Sequence, residues 1–313
     1  MFANPYPYVE SAGLLLFLLA ALHAARQGRR PLLEILSAAA YGVLLEEADI
    51  LLFQSYAYSD RFLLTIDRVP VVIGLVWAVI LSTSMRMTDV LGLSGRAAPL
   101  ADALWAVMLD LAFDAVAIRL GLWSWRIPLD AGYFGVPAGN FYAWIFVAAS
   151  FSLCTRWLRA RTAGRLARAW WQLAAPLPAY AGLALSLLPY LALRRWAFPG
   201  EANGYQIVAA VAALFAVVVA RALLRRDRAP RRPELAAPVL RLPIHAYFLA
   251  ALFSLRLHRT EPVLLAVAAG VAALELALAL PSLRLLRKPA GARESSPGAP
   301  AYTQREHHHA EEA

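Results

Sequence analysis

Asp110 and Asp114 stand four residues apart in an otherwise apolar stretch, so in a helix they share one face. Like charges this close in an apolar site do not both ionise, and at least one of the two is expected to hold its proton. A carboxylic acid beside a carboxylate is an acid/base pair. A second acidic group lies upstream, where Glu46 and Asp49 share a helical face and Glu47 points roughly a quarter-turn away. Between Gly121 and Trp144 the chain is dense in aromatic residues, Gly and Pro, among them Trp123, Trp125, Tyr133, Asn140 and Trp144. Aromatic faces stabilise cations through their quadrupoles. An amide at the start of an apolar run needs polar partners, water or a carboxylate. The plainer reading pairs the acids with Arg61, Arg68, Arg119 or Arg126 and leaves them structural.

The elements that must position these residues follow from composition. Of 313 residues, 60% are hydrophobic and 16% charged, with 30 Lys+Arg, 21 Asp+Glu and one Cys. A soluble domain is about 45–50% apolar and about 25% charged. The imbalance excludes a soluble globular enzyme, a disordered chain and a disulfide-stapled secreted domain. The cations are nearly all Arg and lie in short clusters between apolar runs, so nucleic acid is not an expected partner. The lipid bilayer is.

A bilayer core of roughly 30 Å needs about 20 apolar residues in a helix. Nine segments qualify approximately: Val9–Ala25, Leu32–Phe53, Val69–Met85, Pro99–Leu120, Ala138–Leu158, Trp170–Leu193, Tyr205–Leu224, Ala237–Leu255 and Pro262–Leu283. The second and fourth are weakened by their carboxylates, and the eighth by Pro243 and His245; eight spans is the alternative. The expected fold is therefore all-α, a polytopic integral membrane helical bundle over residues 1–288, with a disordered tail over 289–313. Arginine clusters follow the first, third, fifth, seventh and ninth segments, and the intervening loops are poorer. By the positive-inside rule this puts the N-terminus outside and the C-terminus in the cytoplasm, in a bacterial-type inner membrane. The start, Met1–Glu10, lacks the basic region of a cleaved signal peptide. His307, His308 and His309 read as a solvated end or a weak metal tract, and Cys154 as a packing residue.

Carboxylates inside membrane spans are expensive, and each is a functional hypothesis. In this topology both acidic groups fall in the outer half of the membrane at similar depth, where they could line one cavity. The Gly121–Trp144 stretch is then either an interfacial aromatic belt or a capping loop over that cavity, since irregular backbone at membrane depth must be buried or line a wet space.

Leu109-Asp-Leu-Ala-Phe-Asp-Ala-Val-Ala, then Gly121-Leu-Trp-Ser-Trp, Tyr133-Phe-Gly-Val-Pro and Asn140-Phe followed by Trp144, resemble the integral-membrane carotenoid biosynthesis protein family. That family includes carotenoid 1′,2′-hydratases and bisanhydrobacterioruberin hydratase. Tyr56-Ala-Tyr58, Val69-Pro70 and Trp77 extend the likeness, whose motifs cover about one third of the chain. Ala115 replaces a usual Pro, Ala143 a usual Gly, and Asp49–Gln54 a Gly-rich stretch. The resemblance implies hydration of a terminal isoprenoid C=C bond of a lipophilic carotenoid, with no cofactor and no metal, and other carotenoid enzymes as possible partners. For that reaction the paired acids Asp110 and Asp114 are the expected acid/base pair, with Glu46 or Glu47 as the alternative donor. Tyr58, Trp123, Trp125, Tyr133, Asn140 and Trp144 would contact the substrate. Two other classes stay open. The Asp110–Asp114 spacing also suits a Mg²⁺-dependent intramembrane prenyltransferase, and the acids could serve a proton relay in a non-catalytic transporter or assembly protein.

Overall fold

The computed structural model describes residues 3–93, 95–163, 166–225 and 234–286. The expected tail 289–313, with its histidines, and Arg226, Arg228, Arg231 and Arg232 lie outside the described residues. Apolar runs become helices because a helix satisfies its own backbone polar groups where no water can. They are α1 Tyr6–Gln27, α2 Arg29–Phe53, α3 Val71–Val90, α4 Ala97–Arg119, α5 Ala138–Arg161, α6 Pro176–Ala192, α7 Glu201–Leu224, α8 Ala236–Ser254, the single turn α9 Leu257–Thr260, and α10 Pro262–Leu286. Seven helical stretches, the one around α6 running Arg168–Ala197, are long and apolar enough to cross a membrane. Among the described residues α2 and α4 are the two other long helices, and they carry the acidic groups. The protein is an all-α, multi-pass membrane bundle.

The sixth segment departs from its expected start at Trp170. A 3-10 segment, Leu166–Ala174, precedes it and packs on α2, with the Arg29 guanidinium 4.0 Å from the centre of the Trp170 ring. Helix α6 begins at Pro176, whose missing N–H is no loss in a first turn.

Helix α4 is the centre of the bundle, packed against α3, α5, α7, α8 and α10. Its Ala98, Ala103, Ala106, Ala115 and Ala117 are fully buried. Small residues allow close helix approach where lipid offers no hydrophobic drive for association. Helices α2 and α3 use glycine in the same way. A Cβ at Gly42 would lie 2.6 Å from Trp77 Cβ and 3.1 Å from Gly74 Cα, so only glycine lets α2 come this near.

Four short strands lie outside the helices: β1 Tyr56–Tyr58, β2 Thr65–Ile66, β3 Val69–Pro70 and β4 Trp123–Trp125. Strands β1 and β4 pair antiparallel, with Tyr56 opposite Trp125 and Tyr58 opposite Trp123. This ribbon ties the α2–α3 loop to the α4–α5 loop, and no periodicity in the sequence announces it.

Ion networks bind the helices elsewhere. Arg156 on α5 pairs with Asp89 (2.5 Å) and Asp102 (3.0 Å), and Arg159 pairs with Glu34 (2.6 Å), joining α2, α3, α4 and α5. In α8, Arg241 is 1% exposed and bonds Glu275 of α10, Ser84 of α3 and the Trp105 carbonyl of α4. His245 Nε2 lies 3.1 Å from the same Glu275. Breaking a buried pair from one side leaves an uncompensated charge. Glu275→Gln is therefore expected to lower stability by about 3–5 kcal/mol, read as thermal unfolding in detergent. Leu214→Ala on the outward face of α7 is expected to stay within about 0.5 kcal/mol of the parent.

Candidate functional site

A cavity of about 390 Å³ lies among α2, α3, α4, α5 and α6 beside the β1–β4 ribbon. Glu46 and Asp49 reach it from α2, Trp77 from α3, and Asp110, Phe113 and Asp114 from α4. Asn140 and Trp144 come from α5, and Tyr58, Trp123 and Trp125 from the ribbon. A second cavity of about 410 Å³ is lined by His23, Arg30, Glu34, Arg86, Asp89, Arg159 and Glu234. Its carboxylates are already engaged, Glu34 by Arg159, Asp89 by Arg156 and Glu234 by Arg86. The smaller cavity is different in kind, because among the described residues its Glu46, Asp49, Asp110 and Asp114 have no cationic partner.

Asp110 and Asp114 are 1% and 2% exposed. One amide serves both: Asn140 Nδ2 donates to Asp110 Oδ2 and to Asp114 Oδ2, each at 2.8 Å. Two acceptors facing one amide require its NH₂ end there, which settles the orientation of the side chain. Trp123 Nε1 donates to Asp114 Oδ1 at 2.7 Å, so both oxygens of Asp114 are acceptors. Asp110 Oδ1 is buried and has no hydrogen-bond partner among the described residues. A buried polar atom left over in this way calls for a reason, and a carboxyl O–H aimed at a ligand is one.

Glu46 is the most heavily bonded of the acids. Trp77 Nε1 donates to its Oε1 at 2.6 Å, Tyr58 OH donates to its Oε2 at 2.7 Å, and Tyr56 OH donates to the same oxygen. Burial, and next the Glu46 charge, push the Tyr56 and Tyr58 phenols well above the ordinary tyrosine range, so both remain donors. Glu46 is thus a fixed acceptor in the cavity wall. Around it the Trp77 and Trp144 rings lie 4.2 Å apart, and Phe113 meets Trp144 edge-on at 5.7 Å. The cavity is an aromatic box with Glu46, Asp49, Asp110 and Asp114 in its wall.

Of the residues expected at the site, Asp110, Asp114, Glu46, Tyr58, Trp123, Trp125, Asn140 and Trp144 converge here. Two do not line it. Glu47 turns away and accepts the Arg68 backbone N–H at 3.3 Å, as its quarter-turn offset requires. Tyr133 packs against Phe134 and Phe141, and its hydroxyl donates to the Leu111 carbonyl at 3.0 Å. The ion pairs weighed against a functional role are not made. Arg119 binds the Ala115 and Phe134 carbonyls and lies 3.8 Å from Glu261. Arg61 reaches Asn4, and Arg126 reaches Gln54. Among the described residues, Arg194 is the one basic side chain lining the cavity, and it is paired with Glu201 at 3.0 Å. Tyr56 and Trp77 were not expected as donors, although an O–H or N–H near a buried acid is the signal that would have found them. Leu183, Leu187 and Tyr190 of α6 complete the wall from beyond the motif region.

The carotenoid biosynthesis protein family is matched over residues 10–196, a stretch that contains every cavity-lining residue but Glu201. No curated protein and no solved structure matches. A hydrogen bond to a charged group contributes about 1.5–3 kcal/mol. Trp77→Phe, which keeps an aromatic ring and removes the donor to Glu46, is expected to cost about that much in thermal unfolding.

Proposed function

We propose a hydration reaction on one premise: the chain belongs to the carotenoid biosynthesis protein family. Its role lies in carotenoid biosynthesis, and its setting is the membrane. Within that role we assign it the addition of water across a terminal isoprenoid double bond of a carotenoid. The proposed orientation is N-terminus outside and C-terminus cytoplasmic in a bacterial-type inner membrane, on the strength of the alternating arginine clusters. The observation that carries the reaction is the Asp110–Asn140–Asp114 bridge in a box of aromatic rings, free of any cationic partner among the described residues.

Protonating an unactivated alkene is the hard step, because it makes a tertiary carbocation. Asp110 is assigned as the donor, since its Oδ1 has no hydrogen-bond partner among the described residues. Its proton goes to the =CH– carbon of the terminal double bond, and the C=C electron pair forms the new C–H bond. The cation is left on the tertiary carbon and the charge on Asp110. The faces of Trp144 and Trp123 and the fixed Glu46 carboxylate oppose that positive charge. Water then forms the C–O bond while Asp114 takes its proton. One water has been added, and the pair again holds a single proton, which crosses back between the two carboxylates that Asn140 holds together. Asn140 keeps the two acids at fixed spacing throughout, which is what general acid–base catalysis needs before any matching of acidity.

Cells that make lycopene or γ-carotene and express this chain are expected to accumulate products heavier by one water per end modified. Their absence would overturn the hydratase assignment. Removing a general acid or base costs about 10²–10⁴ in rate. Asp110→Asn and Asp114→Asn are each expected to lose that much turnover with thermal unfolding little changed. Glu47→Gln, which lies off the cavity, is expected to retain it.

A further inference from the structure

A carotenoid is a stiff, extended polyene of eight five-carbon isoprene units, and a cavity of about 390 Å³ set among five helices cannot take its whole length. Most of it must pass through an opening, and the lining shows where that opening is. The wall is buried or half-buried except at Phe53 and Leu191, each 45% exposed. Phe53 ends α2, and Leu191 lies in the last turn of α6. These two helices pack side by side, and half-buried Leu187 also borders the cavity from α6.

Beyond Leu191 the wall turns polar: Arg194, one turn further along the same helical run, pairs with Glu201, and the second Glu201 oxygen accepts the Ala138 N–H at 2.5 Å. An apolar chain crossing over that pair would have to break or desolvate it, which is costly. The side chains of Phe53 and Leu191 themselves offer an exposed apolar surface.

We infer that the carotenoid enters sideways from the bilayer, between the C-terminal ends of α2 and α6. Only its terminal isoprene units reach Asp110 and Asp114, while the polyene stays in the Phe53–Leu191 gap and the lipid beyond it. This rests on the hydratase reading for the identity of the chain that is threaded, and the test separates the two.

Phe53→Cys and Leu191→Cys are made singly in a Cys154→Ala background, with Leu214→Cys on the outward face of α7 as control. Each is labelled with N-ethylmaleimide in detergent, with and without lycopene. At about ten times its dissociation constant a bound ligand leaves roughly a tenth of the protein free. Labelling at positions 53 and 191 is therefore expected to slow about ten-fold with lycopene, while position 214 is unaffected. Equal rates with and without lycopene at both positions would overturn the portal. Either cysteine suffices if the other variant does not fold. Wild-type protein is assayed for hydration in parallel. Protection without hydration supports the portal and overturns the reaction, and hydration without protection does the reverse.

Discussion

The Glu46 carboxylate is the point on which the rest of the site hangs. A buried carboxyl needs hydrogen-bond partners, and Glu46 has three donors from two other elements. Trp77 ties it to α3, and Tyr56 and Tyr58 tie it to β1. Strand β1 pairs with β4, whose Trp123 holds Asp114 on α4, and Asn140 of α5 carries the connection on to Asp110. One polar thread therefore runs through α2, α3, α4 and α5. Loosening it at Glu46 would disturb the acids on the far wall through the ribbon, without touching them directly.

The bundle separates two ways of keeping charge in a membrane. Arg156, Arg159 and Arg241 meet carboxylates directly and lock helices together. At the cavity the same task falls to indoles, phenols and one amide, which donate hydrogen bonds but bring no positive charge. An arginine beside Asp110 or Asp114 would hold the carboxylate as an anion and repel a carbocation. Neutral donors fix the acids in place and leave room for a proton to move between them.

The long apolar runs made the helices legible, and Asp110, Asp114 and Glu46, singled out by type and spacing, line one cavity. The fourfold spacing of the aspartates carried over because a helix preserves it. Glu47 was offset by its position on the helix, and that same geometry took it off the cavity. Tyr133 was misplaced for a different reason: richness in aromatics does not say which way each ring faces in an irregular loop. The β1–β4 ribbon was not legible, because two three-residue strands in separate loops carry no period. Arg241, Glu275 and His245 read as isolated polar residues in apolar segments, and only the packing of α8 on α10 makes them a cluster.

The donors to each acid sit close to it in the chain. Those to Glu46 lie 10, 12 and 31 residues away, all before α3 is halfway complete. Those to Asp114 lie 9 and 26 residues away, and the donor to Asp110 lies 30 away, all by the start of α5. As the chain leaves the ribosome, α2 with α3, and later α4 with α5, can each form a hairpin whose acids are already hydrogen-bonded. Neither pair must wait for the C-terminal helices before its carboxylates are sheltered from lipid. The order of synthesis and the chemistry of the cavity are thus served by the same short-range contacts.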